Sequence, residues 1–227
     1  MPGSQDLFYE LADLILFDID GTLVRRAGPH HRQALVDAVR MVTGRDTTTD
    51  GIPVHGMLDP DILTLMMRAA GMDDDAIRAA MPGVIEAAQD VYQESVPDIR
   101  DKTCPGVVPL LEDLTKSGVT LALVTGNLTR IGWRKLERAG LKDYFRSGAF
   151  GEMAPTRGGL AKLAIEWARR EGLVDRISLV GDATQDVLAA RENGIRAIAV
   201  RTGITPPEEL EATAPDLLLD DLTCWVK

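Results

Sequence analysis

The pattern of apolar and polar positions indicates two kinds of structure along this chain. Short apolar runs of strand length lie at residues 14–17, 119–124, 148–150, 177–180, 195–200 and 217–219. Apolar residues recurring at three- and four-residue steps predict helices at 107–117, 131–139, 159–171, 185–193 and 207–212. Strands that alternate with helices of this length predict right-handed crossovers and a parallel sheet covered on both faces.

The segment from residue 25 to residue 103 shows only the helical period. After a linker at 25–29, helices are predicted at 34–43, 59–70, 73–81 and 84–96, the last two separated by Pro82-Gly83. The sequence therefore predicts a doubly wound α/β core made of residues 1–24 and 104–227. An all-helical cap domain of residues 25–103 is inserted directly after the first strand. Parallel sheets bind ligands beyond the carboxyl ends of their strands, so this insertion is expected to cover the site as a lid.

Composition narrows the class of partner. The formal net charge of −10 argues against a nucleic-acid or anionic-membrane surface. No signal peptide is evident in residues 1–11, and no apolar run approaches the length of a membrane span. Cys104 and Cys224 show neither metal-ligand spacing nor a disulfide framework. We expect a cytoplasmic protein with a small-molecule substrate, either a monomer or a homodimer.

Three of the predicted strands end in polar residues. The first runs into Asp18 and Asp20, the second into Thr125-Gly126-Asn127, and a later one into Gly181-Asp182, with Asp186 one helical turn beyond. In a parallel sheet all three ends meet at the same edge. Two carboxylates as close as Asp18 and Asp20 repel each other, and a hard divalent cation such as Mg²⁺ would relieve that repulsion.

These motifs, in this order and with this insertion, resemble the haloacid-dehalogenase superfamily of hydrolases, close to its phosphoglycolate-phosphatase-like branch. The resemblance implies a Rossmann-like core and a Mg²⁺-dependent phosphatase acting on a small phosphorylated metabolite. By the same resemblance Asp18 is the nucleophile that becomes an aspartyl phosphate, and Asp20 is the general acid and base. The metal would be held by the Asp18 carboxylate, the Asp20 backbone carbonyl and Asp182, with Asp186 in a supporting role.

The phosphate-binding groups are also implied by the resemblance. Thr125 and the backbone N–H of Gly126 would contact the phosphoryl oxygens. Asn127, directly after Gly126, could contact phosphate or cap its helix, and the two roles are compatible. The third motif of the family usually carries a lysine, and here the match falls on Arg157 in a loop just ahead of a helix. Lys162, inside that helix, is the alternative and is more simply a solvated charge. Arginine would bind an oxyanion through a fork of donors.

Two parts of the insertion have open roles. His30 and His31 lie where it begins, and we favour exposed capping residues over contacts with the substrate. The role of residues 56–59 is uncertain, which leaves the substrate undefined.

The alternatives to a phosphatase use the same core. A sugar-phosphate mutase of the superfamily remains possible, and so does a phospho-accepting signalling or binding protein, although the latter needs no lid. A non-catalytic scaffold is the last alternative, suggested only by Arg157. A dehalogenase is disfavoured because that branch lacks the second aspartate that Asp20 provides.

Overall fold

A computed structural model describes residues 13–25, 28–173 and 176–225. The segment 1–11, with its predicted lack of a signal peptide, lies outside the described residues, as do two residues of the linker at 25–29. The strands are β1 (Leu14–Phe17), β2 (Thr120–Val124), β3 (Ser147–Ala149), β4 (Ile177–Gly181), β5 (Arg196–Val200) and β6 (Leu217–Leu219). The helices are α1 (His30–Thr43), α2 (Asp59–Ala69), α3 (Asp74–Ser95), α4 (Val107–Lys116), α5 (Thr129–Ala139), α6 (Arg157–Arg170), α7 (Thr184–Glu192) and α8 (Pro207–Ala212).

The six strands form one parallel sheet in the order β3-β2-β1-β4-β5-β6. The α/β fold class predicted from the sequence is confirmed. Strand β1 lies at the centre, where Phe17 is in register with Leu123 of β2 and Val180 of β4. The chain runs outward from β1 to one side through β2 and β3, and from β4 to the other side. Such a switch point is where open α/β sheets form a ligand crevice.

Side chains on the two faces of the sheet enter two separate hydrophobic clusters. Ile15 and Phe17 of β1 pack in the cluster that includes α4 and α5. Leu14 and Leu16 face the other way, into the cluster that includes α6 and α7. Every residue of β1 is buried, which explains why its sequence is a continuous apolar run instead of an alternating one.

The helices of the insertion have a hydrophobic cluster of their own, built from α1, α2 and α3, which Leu128 and Ile131 at the start of α5 also join. Helix α3 corrects the sequence prediction of two helices broken at Pro82-Gly83, because one continuous helix runs through Pro82. Ile77, before the proline, and Val84, after it, are both buried. One apolar face therefore spans the proline, and its burial outweighs the backbone hydrogen bond that proline removes.

The two chain segments that connect the insertion to the sheet lie side by side. Val24 forms an antiparallel bridge with Thr103. The N–H of Arg25 donates to the carbonyl of Lys102 at 2.7 Å, and the N–H of Cys104 donates to the carbonyl of Leu23 at 3.0 Å. The boundaries of the core and cap at residues 24/25 and 103/104 stay a prediction. Among the described residues, none of the helices is long and apolar enough to span a bilayer.

Candidate active site

The loop that follows β1 is held tightly against the loop that follows β4. Gly21 has a φ of +84°, and a Cβ at this position would lie 2.3 Å from Oδ2 of Asp182. Only glycine satisfies both the left-handed conformation and that close approach. The Thr22 hydroxyl donates to Oδ1 of Asp182 at 3.3 Å. Asp18 and Asp182 are thereby brought to the same point at the edge of the sheet.

Asp18, Asp182 and Asp186 form a buried cluster of carboxylates. One oxygen from each lies within 4.8 Å of the others. Burial and the charge of Asp18 raise the pKa of Asp182 well above its usual range. Burial also raises the pKa of Asp186 to about 7, although Arg157 opposes that shift. Asp186 belongs to this cluster, and the supporting role expected for it from the sequence stays a prediction.

Arg157 supplies a positive charge to this cluster. Its Nη1 donates to Oδ1 of Asp18 at 2.8 Å and lies 3.3 Å from Oδ1 of Asp186. Burial lowers the pKa of the guanidinium, but Asp186 and Asp18 more than offset this and raise the pKa. Lys162, the alternative for the third motif, is exposed on α6.

The predicted loop around Arg157 is wrong, because Arg157 is the first residue of α6. Thr156 is the N-cap, and its hydroxyl accepts the N–H of Gly159 at 3.0 Å. Gly158 follows at the second position of the helix, next to the carboxylate of the exposed Glu192. The Thr156 cap starts the helix two residues earlier than its apolar pattern indicates.

The turn after β2 contacts both Asp20 and the insertion. Asn127 Nδ2 donates to Oδ2 of Asp20 at 2.7 Å and to the Thr125 hydroxyl at 2.8 Å. The side chain of Asn127 therefore orients Asp20 and does not cap α5, whose N-cap is Leu128. A Cβ on Gly126 would lie 2.3 Å from the carbonyl oxygen of Met57, so the insertion rests directly on this turn.

Sequence reasoning missed Lys135, a buried lysine on α5. Its Nζ lies 2.7 Å and 2.6 Å from the two carboxylate oxygens of Asp20 and 2.6 Å from Oδ1 of Asn127. Burial acts to raise the pKa of Asp20, but the charge and the hydrogen bonds of Lys135 outweigh it, and the pKa lies below its usual value. Lys135 shares the buried face of α5 with Ile131 and other apolar residues. A lysine at an apolar position of an amphipathic helix was the available signal.

The insertion contributes His31 and Asp59 to the same site. His31 Nε2 lies 2.9 Å from Oδ2 of Asp59, and His31 Nδ1 lies 3.1 Å from Nζ of Lys135. The favoured interpretation of His31 as an exposed capping residue is therefore wrong. Neither His31 nor His30 caps α1, whose N-cap is Pro29 and has no side-chain hydrogen bond. The partners of His31 are distant in sequence and are brought together only by the fold.

His55 is a further residue of the insertion at this edge. Its Nε2 lies 2.6 Å from the Thr205 hydroxyl and 3.7 Å from Oδ2 of Asp182. A cavity of about 580 Å³ lies between the insertion and the sheet edge, and it is lined by residues from both. That volume is within the range of small-molecule sites.

The carboxylate cluster fits a hard divalent cation. All three side chains offer oxygen ligands, and Oδ2 of Asp182, although buried, accepts no hydrogen bond from the described residues. Among the described residues, Arg157 is the one cationic side chain within hydrogen-bond distance of the cluster. One positive charge faces three carboxylates, so negative charge is in excess. A cation bound by oxygen atoms would satisfy the orphaned oxygen and balance that charge.

Comparisons with known proteins agree with this geometry. The haloacid dehalogenase-like hydrolase family matches residues 12–194. The phosphoglycolate phosphatase of Caulobacter vibrioides is 30% identical over 212 residues, which cover 90% of this chain and 85% of that protein. The phosphoglycolate phosphatase of Agrobacterium fabrum is 29% identical over 93% of this chain and 89% of its own length. The crystal structure of CbbY from Rhodobacter sphaeroides, in complex with phosphate, shares the fold with a TM-score of 0.71, at 20% identity over 93% of this chain and 95% of that one.

Proposed function

The chain belongs to the haloacid dehalogenase-like hydrolases and is a phosphatase of that family, and from this premise we propose that it hydrolyses a small phosphoglycolate-like monoester with Mg²⁺ as its cofactor. The observation that carries the proposal is the meeting of Asp18, Asp182, Asp186 and Arg157 at one sheet edge, beside Asp20. The described cysteines form no disulfide, which is in keeping with a cytoplasmic enzyme.

In the proposed mechanism Asp18 attacks the phosphorus atom and forms an aspartyl phosphate. Asp20 gives a proton to the leaving oxygen and then takes one from the water that hydrolyses the intermediate. Lys135 and Asn127 hold the carboxylate of Asp20 in a fixed orientation where it lines the cavity. The lowered pKa that Lys135 imposes favours the ionised form, which is the form that takes the proton from water. Arg157 donates a hydrogen bond to Asp18 and lines the cavity, and its proposed role is to bind the phosphate there.

The proposed metal ligands are the carboxylates of Asp18 and Asp182 and the backbone carbonyl of Asp20, with Asp186 beside them. When bound, the cation neutralises charge on the phosphoryl group and on the nucleophile. Phosphoryl transfer depends mainly on such positioning and charge balance.

Thr125 and the backbone N–H of Gly126 are the proposed phosphate donors at the end of β2. Asn127 acts on Asp20 instead of on phosphate, since its amide hydrogen bonds are taken up within the site.

Two exposed arginines, Arg25 and Arg32, also line the cavity. They supply positive charge for a second anionic group on the substrate, such as the carboxylate of phosphoglycolate. Residues 25–103 are proposed to form the cap that carries Arg32 over the core.

The test is phosphate release from phosphoglycolate with Mg²⁺, after removal of metal by EDTA, and after Mg²⁺ is restored. We expect EDTA to abolish turnover and excess Mg²⁺ to recover it. Asp18→Asn should lower kcat by roughly 10⁴-fold or more, because the amide is nearly isosteric but cannot attack phosphorus. Asp143→Asn, an exposed aspartate remote from the cavity, is the matched control and should retain wild-type kcat.

Full activity in EDTA, or a fully active Asp18→Asn variant, would contradict the proposal. Conversion of a sugar phosphate to its isomer, without release of inorganic phosphate, would identify a mutase instead.

A further inference from the structure

Lys135 is a buried charged group whose role the proposed mechanism leaves open. Its side chain is only 2% exposed, although lysine is among the residues least often buried without a partner. Its three ammonium hydrogens face four acceptor atoms: both carboxylate oxygens of Asp20, Oδ1 of Asn127 and Nδ1 of His31. The position of Nζ is therefore defined on every side.

The consequence for Asp20 is a fixed carboxylate plane. Oδ1 of Asp20 contacts Lys135 at 2.7 Å, while Oδ2 contacts Lys135 at 2.6 Å and Nδ2 of Asn127 at 2.7 Å. A carboxylate held at both oxygens cannot rotate about its χ2 bond without breaking a charge-assisted hydrogen bond. Proton transfer is sensitive to such orientation.

The partners of Lys135 on its other side come from the insertion. An ammonium group can only donate, so Nδ1 of His31 accepts and its Nε2–H donates to Asp59. Asp59 Oδ2 also accepts the backbone N–H of Leu128 at 2.8 Å, which ties it to the start of α5. The series of hydrogen bonds Asp59–His31–Lys135–Asp20 thus runs from the insertion to the sheet edge. It is complete only when the insertion and the sheet edge are in contact.

We propose that Lys135 is the positioning residue for Asp20, and that His31 and Asp59 lock Lys135 in place when the inserted helices lie on the sheet edge. The inference rests on the proposed function, in which Asp20 protonates the leaving group. It links closure over the substrate to correct placement of the proton donor. A purely structural ion pair would instead affect every substrate alike.

The leaving group distinguishes these two roles. An alkyl ester such as phosphoglycolate needs protonation of its departing oxygen, whereas p-nitrophenyl phosphate releases a stable phenolate that needs little. In Lys135→Met we expect kcat/KM for phosphoglycolate to fall by about 100-fold and kcat/KM for p-nitrophenyl phosphate by no more than about tenfold. Lys142→Met, an exposed lysine outside the cavity, is the control and should leave both values unchanged.

His31→Gln supplies a second variant that leaves the Lys135–Asp20 pair intact, and it decides the matter if Lys135→Met fails to fold. The ratio of the two kcat/KM values should shift in the same direction, by about threefold. An equal loss on both esters in Lys135→Met, or an unchanged ratio in a folded His31→Gln, would overturn the inference alone. A wild-type enzyme that hydrolyses neither ester would overturn the proposed function and the inference with it.

Discussion

At the scale of single residues, Arg157 has the most demanding electrostatic environment. One nitrogen, Nη1, contacts carboxylates of both Asp18 and Asp186, and it also lies 3.3 Å from the carbonyl oxygen of Val124. The side chains of Arg157, Asp18 and Asp186 are all buried, so the three charges are largely removed from bulk solvent. Removing one member of a buried ion pair leaves the other charge uncompensated, and this strongly destabilises the folded protein.

We therefore expect Arg157→Ala to lower the free energy of unfolding in EDTA by about 3 kcal/mol. Addition of Mg²⁺ should stabilise this variant more than it stabilises the wild type, because the cation meets a larger excess of negative charge. Urea unfolding with and without Mg²⁺ measures both effects. Arg170→Ala, an exposed arginine on the same helix, is the control. Equal stabilisation of Arg157→Ala and wild type by Mg²⁺ would contradict this account.

Residues of the site differ in how far the sequence reveals them. Asp18 and Asp182 follow apolar strands directly, and the geometry of a parallel sheet is enough to place them together. Lys135 and His31 could not be placed in this way, because their partners lie on other elements far along the chain. Helical periodicity indicates that Lys135 is on a buried face, but only the packing of α5 against the loop after β1 shows that Asp20 is its partner.

At the scale of elements, the burial of apolar side chains keeps α3 continuous in spite of Pro82. Proline in a helix interior costs about 3 kcal/mol relative to alanine. Ile77, Val84 and Tyr92 are nevertheless buried on one face that spans it. Each such side chain contributes roughly 1.5–3 kcal/mol on burial. The sequence alone predicts a break at Pro82, because the burial that opposes it depends on contacts between α3 and α1.

Replacing this proline should stabilise the protein. Pro82 is exposed, so Pro82→Ala removes a backbone clash without opening a cavity, and we expect a gain of about 1–3 kcal/mol in the free energy of unfolding. Pro207→Ala provides the comparison, because Pro207 is the first residue of α8, where proline is favourable. That variant should show no gain in urea unfolding. A gain of equal size at both positions would mean that the helix interior is not the cause.

At the scale of the whole molecule, the parallel sheet and its inserted helices could be predicted because strand and helix periods alternate so regularly. The contacts between the sheet and the inserted helices could not be predicted. They depend on close approaches of the backbone, such as that of Gly126 to the carbonyl of Met57. The start of α5 is a clear case. Its N–H groups at Leu128 and Arg130 donate to Asp59 and Gln89, both from the insertion.

This placement predicts that the insertion determines the choice of substrate. Arg32 is exposed, lines the cavity and lies on α1, whereas the groups proposed for chemistry lie on the sheet edge. Arg32→Met should raise KM for phosphoglycolate by about fivefold to tenfold, as expected for loss of one charged hydrogen bond at an exposed site. The KM for p-nitrophenyl phosphate, which has no carboxylate, should stay near wild type.

Steady-state kinetics on the two esters measures this difference, with Arg170→Met as the control for loss of a surface arginine. A parallel rise in KM for both esters would show that Arg32 acts on the phosphoryl group or on the fold.

The side-by-side junction of the insertion has a consequence for how such a protein can change over generations. Val24 and Thr103 lie on the two chain segments between the sheet and the inserted helices, and they are bridged to each other. Any segment whose ends meet in this way can be lengthened, shortened or exchanged by recombination without altering the spacing of β1 and β2. New specificities can then be acquired by splicing at one point, while the reacting groups at the strand ends are inherited unchanged.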